Sequence, residues 1–100
     1  MKLLLLLAAH ALCDYPLQGD FLARGKNAFA PLPGVPWYQC LWAHSMIHAG
    51  AVALITGNVW LGCAELVVHF AIDYLKCKGV FGFDIDQALH VTFKIAWCAL

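Results

Sequence analysis

Four sets of polar residues interrupt otherwise apolar stretches of this sequence, and within each set the members stand four apart. The sets are His10, Asp14 and Gln18; His44 and His48; Glu65, His69 and Asp73; and Asp86, His90 and Lys94. At ~3.6 residues per turn, a spacing of four drifts only about 40° per step, so each set forms one stripe along a helix. All five histidines and four of the six acidic residues fall in these stripes. An imidazole and a carboxylate, or two imidazoles, one turn apart can ligate one ion from a single helix, as the two histidines of H-E-x-x-H do. Helix bundles also build metal sites from such residues on facing helices. His10, Asp14, His44, His48, His69, Asp73 and His90 are therefore the candidate metal ligands, with Asp14, His69, Asp73 and His90 leading. Glu65 and Asp86 are the candidate catalytic carboxylates. Gln18 and Lys94 are placed to support the site or to contact substrate. Nitrogen and oxygen donors without thiolate suit a divalent ion such as Zn, Mn or Fe, and Mg where carboxylates dominate. Such an ion would offset the burial of carboxylates and activate a water for hydrolysis.

Two other roles fit the same stripes. Interhelical contacts between histidines and carboxylates glue short helices together in membranes. Chains of acids and histidines within membranes also relay protons. The metal reading requires all four stripes to converge on one point; the other two do not.

The elements that carry the stripes are apolar. The chain has 100 residues, 63% of them hydrophobic and only 12% charged, against roughly 45–50% and ~25% in soluble domains. Mean hydropathy is +0.75. This excludes disorder, which needs polar and charged composition. A formal net charge of zero argues against nucleic acid, whose binding needs clustered Lys and Arg. We expect one integral-membrane helical domain over residues 1–100, a small all-α bundle of about four short helices embedded in a lipid bilayer. A soluble, obligately oligomeric bundle is the competing class, and a homo-oligomer fits either.

The expected helices cover about 3–15, 37–56, 59–75 and 84–100. Pro16 ends the first, and the Gly- and Pro-rich stretch 18–36 reads as loop with one helical turn around Asp20–Lys26. Thr56-Gly57-Asn58 signals a tight turn, and Asp84 is the expected N-cap of the last helix. Only the second segment has the ~20 residues that span a bilayer; short helices cross where they pack together and the bilayer thins. Arg24, Lys26, Lys76 and Lys78 place the first and third connectors on the cytoplasmic side, with both termini outside. Met1-Lys2 followed by Leu3–Ala9 has the form of a signal segment. Leu12 before Cys13 is too bulky for small-residue processing, so we read the segment as mature structure.

The polar stripes cost energy in such a setting. In the third segment eight large apolar residues contribute roughly −0.3 to −0.6 kcal/mol each on insertion. Glu65 and Asp73 cost up to ~2.5–3.5 kcal/mol each at the membrane centre. The carboxylates must then face inward and find protons, histidines, Lys94 or a metal ion. Other features are minor. The five cysteines contain no C-x-x-C pair and read as packing residues. Asp20 and Arg24 are spaced for an ion pair, and Trp37, Trp42, Trp60 and Trp97 for an aromatic belt at the membrane interface. Gly79–Gly82 is a turn without the GK[ST] of a phosphate loop. Ser45 has no nucleophile elbow, which excludes a serine hydrolase.

The run His10-Ala-Leu-Cys-Asp14-Tyr-Pro-Leu-Gln18-Gly-Asp20, with Arg24, Lys26 and Asn27 after it, resembles the opening of the family called domain of unknown function 3307. So do the pair His44/His48, the run His69-Phe-Ala-Ile-Asp73-Tyr-Leu-Lys76, and Asp86-Gln87-Ala-Leu-His90. The resemblance covers nearly the whole chain. It implies a small helical membrane protein of a bacterium or bacteriophage, located in the bacterial inner membrane, and it implies no reaction. The style of His and Asp in short helices is also similar, more loosely, to membrane-bound metal-dependent hydrolases.

Overall fold

The computed structural model describes residues 1–100, and every regular element is helical. The helices are α1 (Lys2–Asp14), α2 (Gly19–Gly25), α3 (Trp37–Thr56), α4 (Val59–Lys78) and α5 (Phe83–Ala99). The four long helices form a closed ring in which α1 packs on α3, α3 on α4, α4 on α5 and α5 back on α1. The bundle measures 41 × 23 × 22 Å. Direction alternates around the ring, because the C-terminal end of α1 meets the N-terminal half of α3, and the C-terminal half of α4 meets the N-terminal half of α5.

Local chemistry sets the boundaries. Gly57 takes the left-handed conformation (φ 67°) that closes α3, and the Asn58 side chain caps α4 by accepting from the Trp60 and Leu61 amides. A two-residue connection therefore reverses the chain. The α3–α4 contact is close: a β-carbon on Gly62 would lie 2.7 Å from Ala53 Cβ and 2.9 Å from the Ala49 carbonyl oxygen. The expected N-cap at Asp84 is not made; α5 starts from Gly82, and Asp84 lies in the first turn, where its charge favours the helix dipole. Helix α4 runs past the expected 75 to Lys78, because Lys76 and Lys78 suit its C-terminus and the chain turns at Gly79. The helical turn expected around Asp20–Lys26 within the loop 18–36 is α2, which makes a fifth helix beside the four long ones. Gly19 at φ +66° reverses the chain before it, and Arg24 pairs with Asp20 at 3.3 Å on its surface. The remaining connector is pinned to α4 by Phe29 and Trp37, whose rings lie 5.3 and 5.7 Å from that of Tyr74.

The interior is more polar than apolar. Twelve buried residues are polar or charged, against eight that are hydrophobic. The apolar core of Leu6, Val52 and Trp97, with Ile55, Leu61 and Phe93 around it, fills only one end. The outside is the reverse, with Leu54 85%, Trp60 78% and Val67 69% exposed. No helix is long and apolar enough to cross a membrane. Helices α1 and α5 are too short, with 13 and 17 residues, and in α3 and α4 the inward histidines and carboxylates lower the mean hydropathy. Trp97 does not join an interfacial belt. It is buried, and its indole N–H donates to Glu65 Oε2 at 2.7 Å. Trp42 and Trp60 are exposed near helix ends.

Candidate metal centre

The four stripes converge. His10, Asp14, His44, His48, Glu65, His69, Asp73, Asp86, His90 and Lys94 are all buried, and the five imidazole rings form one connected cluster. The two acids outside the stripes, Asp20 and Asp84, are exposed. The direction of each helix decides the location. The polar residues lie in the C-terminal part of α1, the middle of α3, the middle and C-terminal part of α4, and the N-terminal half and middle of α5, so they meet between the centre of the bundle and one end.

Asp14, His44, His48 and His69 each offer a ligand atom, all within 4.8 Å of one another. Asp14 Oδ1 lies 3.2 Å from both His44 Nε2 and His48 Nε2. A tetrahedral ion with bonds of ~2.0–2.1 Å holds its ligand atoms about 3.3 Å apart, so this edge of the group has the length that coordination requires. His69 is prepared for the same role. Its Nδ1 lies 3.2 Å from Glu65 Oε1, so an N–H there donates to the carboxylate and leaves Nε2 with a lone pair. Nε2 is buried and has no hydrogen-bond partner. A carboxylate behind a ligating histidine fixes its tautomer and orientation in this way. Glu65 is itself held by Lys94 Nζ at 2.6 Å and by Trp97.

A second group adjoins the first. Asp73, Asp86 and His90 offer ligand atoms within the same limit. His90 Nε2 lies 3.0 Å from Asp73 Oδ1 and 3.4 Å from Asp86 Oδ1. The other oxygen of Asp73 faces the first group, 3.4 Å from both His44 Nε2 and His69 Nε2. Asp73 thus stands between the two. Glu65, His69 and His90 form a third, overlapping set.

His10 is the candidate ligand that joins neither group. Its Nε2 pairs with Gln87 Oε1 at 3.0 Å, while the Gln87 amide donates to Asp14 Oδ2 and Asp86 Oδ2. Gln18 donates to the Asp14 carbonyl oxygen and accepts from Lys26 Nζ. Two participants were absent from the candidate set. Gln87 ties α1 to α5, although it stands beside a stripe residue rather than in one. Lys26 reaches in from the connector, and its Nζ donates to Asp73 Oδ2 at 2.8 Å. None of the surface grooves is lined by a member of the cluster.

The buried charges do not cancel. Four carboxylates (Asp14, Glu65, Asp73 and Asp86) face two ammonium groups, Lys26 and Lys94. With all five histidines neutral two negative charges remain, and a proton on His90, whose Nε2 lies 3.0 Å from Asp73 Oδ1 and 3.4 Å from Asp86 Oδ1, leaves one. Uncompensated buried charge costs several kcal/mol per ion, and a bound cation offsets it.

A family described as a protein of unknown function, DUF3307, matches residues 2–100. The chain belongs to this family. The match covers the stretch over which the resemblance was read. No curated protein and no solved structure matches the chain.

Proposed function

We propose that this DUF3307 protein is a bilayer-embedded metalloprotein. Its principal ion is held by Asp14, His44, His48 and His69, with Glu65 orienting His69 and Lys94 holding Glu65. The observation that carries the reading is the unclosed site: more carboxylate than ammonium charge surrounds His48 Nε2 and His69 Nε2, buried nitrogens that make no well-formed hydrogen bond and lie 3.2 Å from Asp14 Oδ1 and 3.4 Å from Asp73 Oδ2. A network serving only to join helices would satisfy its buried polar atoms. Three imidazoles and one carboxylate favour Zn, Mn or Fe over Mg, which takes oxygen ligands.

The bilayer part of the reading rests on the inverted distribution of side chains. Two 20-residue helices are each about 30 Å long, the thickness of a hydrocarbon core. Their outer faces carry Leu54, Trp60 and Val67 to the surface, and their inner faces carry the charges. The location we propose is the bacterial inner membrane, as the family resemblance implied. On an ion that adds water as a further ligand to these four, the chemistry we infer is metal-assisted hydrolysis of an anionic, lipid-like ester. The ion would act on a water or a polarised oxygen, which a substrate would reach from the end of the bundle where Asp14 closes α1. Glu65 serves as the orienting carboxylate rather than the reacting one, because both its oxygens are engaged.

The test is elemental analysis of protein taken from the alkali-washed membrane fraction into mild detergent, without a metal-charged column. About one equivalent of a transition metal per chain is expected, and its loss in His69→Ala. A folded, metal-free wild type overturns the metal reading, and recovery in the aqueous fraction overturns the bilayer reading.

A further inference from the structure

We propose that the Lys26 ammonium supplies to Asp73 the positive charge that a second divalent cation would supply, and that an ion bound by Asp73, Asp86 and His90 displaces it. This rests on the principal ion proposed above. Lys26 is the one buried cation that does not come from a long helix; it lies in the connector just after α2. Its Nζ sits on Asp73 Oδ2, the oxygen that faces both His44 and His69. A compact ammonium is a point charge, and here it neutralises a carboxylate that lies between two ligand groups.

The second group is otherwise complete. Asp86 is 3% exposed, and its Oδ1 is a buried acceptor without a partner. It lies 3.4 Å from His90 Nε2, which in turn lies 3.0 Å from Asp73 Oδ1. Two carboxylates and one imidazole are a sufficient set for a divalent ion whose remaining positions stay open. Charge explains why Lys26 and the second ion exclude each other. With the histidines neutral, one ion neutralises the cluster with Lys26 in place. A second ion beside Lys26 would leave two positive charges in the interior. With Lys26 withdrawn the excess falls to one, which suits a singly charged anionic group of a substrate.

Lys26 is also able to leave. It is held by Gln18, Asp73 and a short element, not by a long helix. Gly25 brings it inward, since a β-carbon there would lie 2.7 Å from Cys40 Sγ. Withdrawal would open the closed cluster on the connector side. The same movement would admit a second ion and give a ligand its way in.

The experiment is a Zn2+ titration of the metal-stripped full chain in detergent, read by competition with a chromophoric chelator. Wild type is expected to take one equivalent tightly and a second at least tenfold more weakly. Lys26→Met is expected to bind the second at least tenfold more tightly than wild type, and Lys26→Met/Asp86→Asn to return to one equivalent. Lys26→Gln, which keeps a polar contact to Gln18, serves where the methionine variant does not fold and should act in the same direction. On the wild type itself, labelling of Lys26 by an amine-reactive reagent, read on the tryptic peptide, should rise as the second equivalent is added. One equivalent in every variant, or a second equivalent that ignores both Lys26 and Asp86, overturns the proposal while leaving the principal ion intact. No Zn2+ bound by folded wild type overturns the principal ion instead.

Discussion

In the half of the bundle that closes at the α3–α4 turn, Leu6, Val52 and Trp97 meet across the axis. In the other half the same helices bring together Asp14, His44, His69, Asp73 and His90. The two halves share helices, handedness and neighbours, yet they hold together by different physics. The apolar half is stabilised by area removed from contact with solvent, and it tolerates loss in proportion to volume. The polar half is stabilised only while every charge has a counter-charge, so one deletion exposes the full cost of its partner. Glu65, Lys94 and Trp97 join the halves: a carboxylate between a histidine of one and an indole of the other.

Deletion experiments sharpen this contrast, the largest effect coming from the junction. Lys94→Ala leaves Glu65 buried without its ammonium and should destabilise the protein by about 3–5 kcal/mol, read from denaturant unfolding in micelles. The double substitution Glu65→Leu/Lys94→Met should recover most of that loss, because both charges leave together. A double variant no more stable than the single one would show that the junction is not governed by charge balance. In the apolar half Leu6→Ala should cost about 2–5 kcal/mol through the cavity it leaves, and bound metal should not restore it. Restoration would mean that the halves are not separate. The smallest effect belongs to the one ion pair exposed on the surface. Arg24→Ala removes the partner of Asp20 and should change stability by less than ~0.5 kcal/mol. A larger loss would mean that α2 holds the connector through that pair.

The stripes were legible because a repeat of four in an apolar segment has one geometric meaning. Asp14, His44, His69 and Asp73 therefore reached the interior as expected. Their convergence depends on the direction and register of four helices, which no single stripe encodes. Lys26 was misread for a related reason. A lysine in a polar connector is normally solvated, and no periodicity marks one that turns inward. Its burial follows from the close seat of Gly25 on Cys40, a fact of packing. Trp97 lies near the end of a segment, the usual place of an interfacial tryptophan. The spacing of three from Lys94 was the available sign that it continues the inner stripe. Helix α2 was legible as the helical turn expected around Asp20–Lys26, and it runs to seven residues from Gly19 to Gly25. His10 belongs to a stripe, yet Gln87 takes its ring nitrogen, and partner choice of that kind is decided between helices.

The two-residue connection between α3 and α4, with Gly62 set against Ala49 and Ala53, also bears on the order in which the molecule assembles. A short loop costs little closure entropy, and contacts local in sequence form early. The α3–α4 hairpin should therefore arise first, carrying His44, His48, His69 and Asp73 on one surface. Asp14 arrives with α1, and Asp86 and His90 with α5, from the two ends of the chain. An ion bound by the histidines of the hairpin would meet an unfinished set of ligands and recruit the rest. In hydrogen exchange, removal of the ion should then loosen α1 and α5 before α3 and α4, so that the metal acts as the last clasp of the ring.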